Sequence, residues 1–472
     1  MKEFGFYANG EWRQEGEKRD IRSPYTGEVI GRMTRCNSEG LASAITEAEK
    51  AFCEFRKCPS WRRREYLLKI AEGISNRREE LASIITGEAG KPIRFSRGEV
   101  DRAVQTFTCA AEEASRIYGE LMPLDVSAVS EGRFGITRRF PIGVVAGITP
   151  FNFPLNLVAH KVAPAIAAGN AILLRPASQT PLSSLTLAEI AEAAGLPPGI
   201  LNVVPCSTST ASVILDDPRI KKLSFTGSAE VGWELKRKCF KKKVTLELGG
   251  NAAAIVEPDA DMDFALERLP VGAFAYAGQV CISVQRIYIN ESIFDEFSRR
   301  FVEMVQEKIK AGNPGDEDVV VGPMIDSGSA DRVMSWIQEA VASGAKVLCG
   351  NEREANVIQP TVLTNVPRDA KISALEAFGP VVVIEPYPDF ETALGWVNDS
   401  RYGLQAGVFT RDMGKILRAF HTLEVGGIII NDFPTFRVDP MPYGGVKDSG
   451  FGREGLRYAI EEMTELRLMV MR

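Results

Sequence analysis

A cysteine in a short loop is the first residue of this chain that could perform covalent chemistry. Cys281 follows the turn Ala277-Gly278-Gln279-Val280, which separates an apolar helix from a strand. Backbone N–H groups flank a cysteine that is exposed after a Gly-containing turn, and they lower the thiol pKa and favour the thiolate nucleophile. A lone cysteine is more often a small core residue, so Cys281 by itself leaves both interpretations open.

Two further side chains could supply the base and the oxyanion donor that such a nucleophile needs. Glu247 stands between Leu246 and Leu248 on a predicted strand, where partial desolvation raises a carboxyl pKa toward that of a general base. A strand-edge Glu paired with a lysine fits the same pattern. Asn152 lies in the turn PFNFP (150–154) after a buried strand, and its amide could donate to an oxyanion. An ordinary turn asparagine is the alternative.

A glycine-containing turn provides a candidate phosphate site. The segment Phe225-Thr-Gly-Ser228 follows a predicted strand and opens a predicted helix. Gly227 allows close approach of the backbone, and the N-terminus of a helix attracts a pyrophosphate. The segment is not a GxGxxG motif, so its strand–turn–helix context is what supports the prediction.

The elements that must position these residues alternate between short β-branched runs and longer helical patterns. This alternation predicts an α/β fold with parallel sheets and right-handed crossovers. In the first half we predict strands at 143–149, 171–174, 200–204 and 222–225, and helices at 155–168, at 182–194 and from 209. In the second half we predict strands at 252–256, 287–290, 381–384 and 427–430, and helices at 264–275, 295–310 and 392–397.

Two segments alternate apolar and polar residues and therefore predict half-buried strands. They are Arg133–Phe140 and Met463–Met471. We interpret them as an arm that joins copies of the chain. The alternative is that they form an edge of the protein's own sheet.

Composition excludes several classes of protein. The 472 residues suggest roughly three domains, and 45% hydrophobic with 25% charged residues is typical of a globular chain. The net charge of −6, from 56 Lys and Arg against 62 Asp and Glu, argues against a nucleic-acid partner.

Metal, disulfide and membrane signals are equally weak in the sequence. There are only two histidines, neither in a zinc motif, and eight cysteines without a repeated spacing, so we expect no metal and no disulfide framework. The first residues lack an apolar signal, and the longest apolar stretch (162–174) is shorter than the ~20 residues of a membrane span. We therefore expect a cytoplasmic protein.

Taken together in order and spacing, the motifs resemble the aldehyde dehydrogenase superfamily over nearly the whole chain. They are PFNFP (150–154), Gly169-Asn170 with Pro176, FTGS (225–228), LELGG (246–250), GQVC (278–281), GNP (312–314), GPMI (322–325), EAFGPV (376–381) and MPYGGVKDSG (441–450). The resemblance implies a Rossmann-like cofactor domain over 1–120 and 141–247 and a second α/β catalytic domain over 248–450. It also implies a small β oligomerisation arm over 121–140 and 451–472, in a homodimer or homotetramer.

The resemblance assigns catalytic roles to the three residues considered first. Cys281 would attack an aldehyde to give a thiohemiacetal, with Asn152 and the Cys281 backbone N–H as the oxyanion hole. Hydride transfer to a nicotinamide would leave a thioester, which water activated by Glu247 would hydrolyse. This chemistry needs a soft nucleophile, an anion-stabilising pocket and a nearby base.

Cofactor residues follow from the same resemblance. Glu376 would hold the nicotinamide ribose and Phe378 would pack beside it, while Thr149, Gly227 and Ser228 would lie along the cofactor.

The adenosine end departs from the common family pattern. Most members have Lys where this chain has Arg175, and NAD-preferring members often carry Glu where it has Ser178. A guanidinium fork suits phosphate and no acidic residue repels it, so we expect NADP to be accepted, with NAD also used.

The substrate is the least determined feature. The segment 431–442 resembles lactaldehyde, glyceraldehyde and phosphonoacetaldehyde dehydrogenases, and we expect a short, lactaldehyde-like aldehyde. Candidate contacts are Arg102, His160, Phe153 and Arg437. For the two arginines and the histidine, an ordinary ion pair or a satisfied core histidine is the competing interpretation.

The alternative functions are the oxidation of a small anionic aldehyde, such as succinic semialdehyde or phosphonoacetaldehyde, a CoA-acylating relative, and an inactive scaffold. The retained Glu247 argues against CoA acylation. The presence of Cys281, Glu247 and Asn152 together argues against a scaffold.

Overall fold

The computed structural model of the protein describes residues 2–472. Its N-terminal part has five short strands followed by four helices. The strands are β1 Lys2–Phe4, β2 Phe6–Ala8, β3 Glu11–Arg13, β4 Gly16–Arg22 and β5 Val29–Cys36. The helices are α1 Ser38–Phe55, α2 Ser60–Asn76, α3 Arg78–Ala89 and α4 Ile93–Ala114.

Strands and helices alternate through the rest of the first half of the chain. These elements are β6 Leu121–Pro123, β7 Phe134–Pro141, β8 Val144–Ile148, α5 Asn156–Ala168, β9 Ala171–Arg175, α6 Leu182–Ala193, β10 Leu201–Val203, α7 Thr208–Ala211, α8 Val213–Asp216, β11 Ile220–Thr226, α9 Ala229–Lys238 and β12 Lys243–Glu247.

The second half repeats this alternation and ends on a long strand. Its first elements are β13 Ala252–Val256, α10 Met262–Phe274, β14 Val284–Asn290, α11 Phe294–Lys308, β15 Lys310–Ala311, β16 Val319–Val321, α12 Ser327–Ala342, β17 Lys346–Cys349, β18 Arg353–Glu354, β19 Val357–Ile358 and β20 Thr361–Thr364. The remaining ones are α13 Lys371–Ala374, β21 Val381–Tyr387, α14 Phe390–Asn398, β22 Tyr402–Gly403, β23 Gln405–Phe409, α15 Met413–Thr422, β24 Gly427–Ile430, β25 Val446–Lys447, β26 Gly450–Phe451, α16 Leu456–Glu462 and β27 Thr464–Met471.

The first large sheet has a topological switch point in its parallel centre. The strand order is β26-β12-β11-β8-β9-β10-β2-β3, and β12 to β10 run parallel to one another. Chain order runs outward in both directions from the pair β8 and β11, so the loops after these two strands diverge. The carboxyl ends of strands at a switch point form a crevice, which is where open α/β sheets bind ligands.

The second large sheet is also mostly parallel. Its order is β17-β20-β21-β14-β13-β23-β24, and only the edge strand β17 runs antiparallel. Central strands of parallel sheets are covered on both faces, which requires continuous apolar runs. Every residue of β8 and of β13 is accordingly buried, and so is all of helix α5.

The strands predicted around 143–149, 171–174, 200–204, 222–225 and 252–256 are present as β8, β9, β10, β11 and β13. The helix predicted from 209 is two single turns, α7 and α8. The structure adds helices α1 to α4 and the strands β1 to β5, for which no prediction is made above.

The two alternating segments pair with each other in a separate sheet. Strand β27 pairs antiparallel with β7 along its whole length, and β6 completes a three-stranded sheet. Its apolar side chains stay about half exposed, as at Leu466 and Leu468. Residues 451–463, which we expected in the arm, lie elsewhere: Phe451 pairs with Leu246, and α16 buries its apolar face in the first core.

No helix within residues 2–472 combines the length and apolarity that crossing a membrane requires.

Candidate active site

A cavity of about 840 Å³ opens where the carboxyl ends of β8, β11 and β12 face the loops of the second half. Its wall includes the three predicted catalytic residues together with two predicted cofactor residues. These are Asn152, Glu247, Cys281, Glu376 and Phe378. The fold therefore brings residues from four separate parts of the sequence to one space.

The loop that carries Cys281 is built on unusual backbone. Tyr276, Ala277 and Gly278 have φ values of 54°, 54° and 65°, so three consecutive residues are left-handed. Left-handed backbone costs about 1–2 kcal/mol for a non-glycine residue, and such strain gathers at functional sites. The buried Gln279 holds the loop, because its side chain accepts from the Ile325 N–H at 2.9 Å and donates to the Pro323 carbonyl at 3.2 Å.

Glycines 249 and 250 allow the base, the nucleophile loop and Glu376 to approach one another. A Cβ on Gly250 would lie 2.3 Å from the Cys281 carbonyl oxygen, and one on Gly249 would lie 2.3 Å from a Glu376 carboxylate oxygen. A side chain at Gly250 would displace the backbone of the nucleophile loop, and one at Gly249 would push the Glu376 carboxylate out of its position. This close packing is the physical requirement behind the sequence LELGG.

Asn152 reaches the same loop from the turn after β8. Its Nδ2 donates to the Gln279 carbonyl at 2.9 Å, two residues before the cysteine, while its buried Oδ1 has no hydrogen-bond partner among residues 2–472. Glu99 on helix α4 fixes the end of this turn by accepting the Leu155 and Asn156 N–H groups at 2.9 and 3.0 Å. The amide is thus held at the mouth of the nucleophile loop.

The environment of Cys281 differs from the prediction made from its loop. The thiol is half-buried, and burial raises its pKa to about 11, although a hydrogen bond from Tyr443 and the charge of Arg437 oppose this effect. The Cys281 Sγ to Tyr443 Oη distance is 3.0 Å. The sequence predicted a lowered thiol pKa, and this prediction is wrong. Desolvation of the thiol outweighs the opposing effects of the Tyr443 hydrogen bond and the Arg437 charge.

Glu247 is the last residue of β12 and points into the cavity wall. Both of its carboxylate oxygens are buried and have no hydrogen-bond partner within residues 2–472. Burial and the nearby Glu454 carboxylate raise its pKa well above the ordinary value, opposed by Arg437 and Lys161. A carboxyl group in this state is suited to proton transfer at neutral pH.

Arg437 is a buried cation on the wall of the cavity. Its side chain is only 7% exposed, and its guanidinium carbon lies 3.6 Å from the centroid of the Tyr443 ring. Its contacts with Glu454 and His160 are long, at 3.5 and 3.4 Å, and its Nε has no hydrogen-bond partner in the described part of the chain, residues 2–472. The pocket therefore contains a weakly satisfied guanidinium that can bind an anion.

Asp439 connects the other candidate substrate residues. Its Oδ1 lies 2.8 Å from Arg102 Nη2 and 2.8 Å from His160 Nε2, and these neighbours hold its pKa well below the usual range against the effect of burial. Arg102 and Phe153 line the cavity, and His160 does not. Burial lowers the pKa of His160 and favours the neutral imidazole. The histidine contacts Arg437 from behind the cavity wall and does not reach the cavity surface.

The cofactor candidates nearest the reacting residues gather beside Cys281. Glu376 accepts the Gly250 N–H at 3.0 Å, and burial raises its pKa to about 7. Phe378 is left-handed at φ 45° and packs edge-to-face on Phe151, with 5.9 Å between the ring centroids.

The remaining cofactor candidates lie along the carboxyl edge of the first sheet. Gly227 and Ser228 line the cavity at the start of α9, whereas Thr149, Arg175 and Ser178 lie beside it, after β8 and at the end of β9. Thr149 has a buried hydroxyl oxygen without a partner within residues 2–472. Arg175 Nε donates to the Cys206 carbonyl at 3.2 Å, and in the same residues no carboxylate forms an ion pair with this guanidinium.

This edge of the first sheet fits a dinucleotide. It combines the N-terminus of helix α9, the glycine turn before it, the Thr149 hydroxyl and the Arg175 guanidinium, while Glu376 on the cavity wall can accept ribose hydroxyls. Among residues 2–472, no group of three or more His, Cys, Asp or Glu side chains is arranged to hold a metal ion.

Tyr443 and Asp439 are functional candidates to which the sequence assigns no role. Both lie in segments that carry the family resemblance, at 441–450 and 431–442. Tyr443 is 162 residues from the sulfur that it contacts, and Asp439 is 279 residues from His160. No local pattern reports contacts over such separations.

Comparison with known proteins agrees with the fold and with the motifs. The family model described as "Aldehyde dehydrogenase family" matches residues 12–469. The 3-sulfolactaldehyde dehydrogenase of Priestia aryabhattai is 45% identical over 472 residues, which cover 100% of this chain and 98% of that protein.

Solved structures show the same similarity. The aldehyde dehydrogenase 21 of Physcomitrella patens, in complex with the reaction product succinate, superposes with a TM-score of 0.98 at 44% identity, covering 100% of this chain and 98% of that one. The glyceraldehyde-3-phosphate dehydrogenase GapN of Methanocaldococcus jannaschii, complexed with NADP, gives a TM-score of 0.92 at 40% identity, covering 97% and 99%.

These matches confirm the predicted α/β fold class and the resemblance to dehydrogenases of small aldehydes. They extend over nearly the whole chain and over nearly the whole of each relative. The chain belongs to the aldehyde dehydrogenase family and is an enzyme that oxidises aldehydes.

Proposed function

We propose that the protein oxidises a short aldehyde to its carboxylate through a thioester on Cys281, which a water molecule activated by Glu247 hydrolyses. The observation that carries the proposal is the convergence of Cys281, Asn152 and Glu247 on one cavity wall. The nucleophile, the oxyanion donor and the base for acyl transfer are thus available at the same carbonyl carbon.

In the first step the Cys281 thiol loses its proton to solvent water, and the resulting thiolate attacks the aldehyde carbon. The carbon–sulfur bond forms, the carbonyl π pair moves to oxygen, and the oxyanion accepts from Asn152 Nδ2 and the Cys281 N–H. Asn152 Nδ2 donates to a backbone carbonyl in the structure, so it is already oriented toward the nucleophile loop. A preorganised donor of this kind contributes roughly 10²–10³ in rate.

A nicotinamide cofactor, when bound, supplies the acceptor for the hydride that converts the thiohemiacetal to the thioester. We propose that Glu376, Phe378, Gly227, Ser228 and Thr149 hold it along the sheet edge.

We propose that Arg175 and Ser178 contact the adenosine ribose. Within residues 2–472 no carboxylate forms an ion pair with the Arg175 guanidinium, which supports binding of a 2′-phosphate and hence of NADP. A relative with this fold has been solved with NADP.

In the last step Glu247 takes a proton from water as that water attacks the thioester carbon. The tetrahedral adduct then collapses, the carbon–sulfur bond breaks, and the sulfur leaves with the electron pair. Because the folded environment raises the Glu247 pKa, the carboxylate is a stronger base than an exposed one.

We further propose that the aldehyde is a short 2-hydroxyaldehyde with a negatively charged far end. Arg437 is buried, weakly paired and close to the reacting sulfur, and Arg102 presents a second cation on the cavity wall. The names of three relatives refer to anionic molecules of three or four carbons, namely sulfolactaldehyde, glyceraldehyde-3-phosphate and succinate. Lactaldehyde itself lacks this charge and would form no ion pair with Arg437 or Arg102.

The sheet formed by β6, β7 and β27 is proposed as the arm that joins copies of the chain. Four apolar side chains of β27 are about half exposed, which is costly for an apolar strand in water. They are Leu466, Leu468, Met469 and Val470. A second copy that covers this strand would bury them.

A panel of aldehydes tests the function directly. Sulfolactaldehyde, glyceraldehyde-3-phosphate, succinic semialdehyde, phosphonoacetaldehyde and lactaldehyde are assayed with NAD and with NADP, each with and without CoA. We expect the anionic 2-hydroxyaldehydes to give the highest kcat/KM, without CoA. Product that forms only with CoA would reject hydrolysis, and lactaldehyde as the best substrate would reject the anion pocket.

The Cys281→Ala variant tests the nucleophile. We expect activity to fall by at least a thousandfold, about the cost of losing the nucleophile in an acyl-transfer enzyme, while NADP binding is retained. The matched control is Cys109→Ala, because Cys109 is also half-buried but does not line the cavity. Substantial activity in the Cys281 variant would refute the proposed mechanism.

A further inference from the structure

The contact between Tyr443 and Cys281 is the feature of the pocket that the proposed mechanism does not use. Tyr443 Oη lies 3.0 Å from the Cys281 sulfur, and no other side chain within residues 2–472 hydrogen-bonds that sulfur. We propose that Tyr443 is a further catalytic residue, whose phenol O–H donates to the Cys281 sulfur whenever that sulfur is negatively charged. This inference rests on Cys281 being the nucleophile.

The backbone fixes the position of the Tyr443 hydroxyl. Tyr443 and Glu454 exchange two hydrogen bonds, from the Tyr443 N–H at 3.0 Å and from the Glu454 N–H at 2.7 Å. The tyrosine ring is 3% exposed, and the guanidinium of Arg437 covers one face at 3.6 Å. A side chain held at both its backbone and its ring is preorganised to meet the sulfur.

The direction of the hydrogen bond follows from the chemistry of the two groups. A thiolate has no proton and can only accept, so the phenol must be the donor once the cysteine ionises. Burial raises the pKa of Tyr443 well above its ordinary value, so the phenol keeps its proton throughout the working pH range. The cation over the ring face draws electron density from the phenol and strengthens its O–H as a donor.

Charge resides on the sulfur at two points of the proposed reaction. It is present before attack, when the thiol has given its proton to a base, and again when the thioester adduct collapses and the sulfur leaves with the electron pair. In both states Tyr443 keeps its own proton and offers it as a hydrogen bond, so no proton is consumed. The carboxylates of Glu247 and Glu376 face the same sulfur and disfavour its charge, and Arg437 favours it.

The sulfur–phenol contact explains how a buried thiol can act as a nucleophile. Desolvation raises the thiol pKa, and the phenol donor is the largest opposing contribution. A hydrogen bond to a charged group shifts such an equilibrium by about one to two pKa units. Removing the hydroxyl should therefore leave a folded enzyme whose cysteine ionises less readily.

Tyr443→Phe tests the proposal by the alkylation of Cys281 with iodoacetamide in the free enzyme. We expect the rate at pH 8 to fall about threefold to tenfold, because a higher thiol pKa lowers the thiolate fraction while making each thiolate somewhat more nucleophilic. Loss of the hydroxyl also widens access to the sulfur, so a purely steric effect would raise the rate. Tyr288→Phe is the matched control, since it removes a buried phenol oxygen outside the cavity.

A second variant gives the opposite sign with almost no change in shape. Replacing Tyr443 alone by 3-fluorotyrosine makes the phenol more acidic and a stronger donor, so we expect faster alkylation at pH 8. The proposal is overturned if both Tyr443 variants alkylate at the rate of the unmodified enzyme, or if only the steady-state turnover changes, which would place the hydroxyl on the substrate oxygen instead. Full activity of Cys281→Ala would instead refute the proposed function on which the inference rests.

Discussion

Replacing Glu247 by Gln separates the two half-reactions that the site is proposed to perform. The amide keeps the shape of the carboxyl group but cannot take a proton from water. Both carboxylate oxygens are buried without a hydrogen-bond partner within residues 2–472, so the replacement breaks no existing contact. We expect the thioester to form at close to its normal rate and then to persist.

The size of the effect follows from the role of a general base. Positioned acid–base groups contribute about 10²–10⁴ in rate, so steady-state turnover should fall by that factor. Rapid mixing of the Glu247→Gln variant with aldehyde and NADP should still give a burst of reduced cofactor of about one equivalent per active site. If the aldehyde carries a label, acid quenching during the slow phase should trap the thioester. Digestion should then yield a labelled peptide that contains Cys281.

Stability provides an independent measurement on the same variant. Because the folded-state pKa of Glu247 is raised, the unmodified enzyme loses stability as pH rises from the unfolded-state pKa through the folded-state pKa. The variant has no such group, so its stability should fall less than that of the unmodified enzyme between pH 5 and pH 8. Urea unfolding at pH 5 and pH 8 measures this difference.

Glu385→Gln is the matched control, because burial raises that carboxyl pKa to about 7 at a position that does not line the cavity. It should leave both the burst and the turnover unchanged. If the folded Glu247→Gln variant lost the burst as well as turnover, Glu247 would be needed before the thioester forms. That result would refute the proposal that Glu247 acts only in hydrolysis.

Three further predictions follow from the same geometry. Arg437→Met should lower kcat/KM for an anionic aldehyde about 10- to 100-fold and for a neutral one much less, and an equal loss for both would contradict the anion pocket. Arg175→Gln should raise the KM for NADP about tenfold or more relative to that for NAD, as measured in initial-rate assays. Leu468→Asp should shift the assembly toward smaller species in analytical ultracentrifugation, whereas an unchanged sedimentation coefficient would argue against an interface at β27.

The fold class could be predicted because its signals are local. A buried parallel strand needs a continuous apolar run, and the run at 144–148 is bounded by Gly143 and the PFNFP turn. The helix at 156–168 ends at Gly169, which is left-handed at φ 89°, as the Gly-Asn pair predicts. Such features depend on neighbours within a few positions and do not require the rest of the chain.

The placement of the C-terminal residues could not be predicted in the same way. Strand β27 pairs with β7 across more than 300 residues, and the short strand β26 joins the first sheet. Both are alternating or short segments that suit any sheet edge. Tertiary contacts with β7 and β12, which are far away in the sequence, determined which sheet edge each segment joined.

Several site residues are identifiable from sequence because their motifs carry them. Cys281, Glu247 and Asn152 each stand in a short segment whose residue types fit the chemistry, and the structure places all three on one cavity. The protonation behaviour of Cys281 is not local, however. Its pKa depends on how completely the folded chain removes water and on Tyr443 and Arg437, which come from a distant segment.

Sequence alone therefore determined which chemical groups this protein has and the strands and turns that carry them, because residue type, capping and apolar periodicity act over a few residues. Tertiary structure alone decided what those groups experience. It gave the sulfur a phenol partner, left the Glu247 carboxylate without a hydrogen-bond partner among residues 2–472, and placed His160 behind the cavity wall against Asp439. Desolvation and hydrogen bonding depend on the atoms within a few ångströms in space, and only the folded chain specifies which atoms those are.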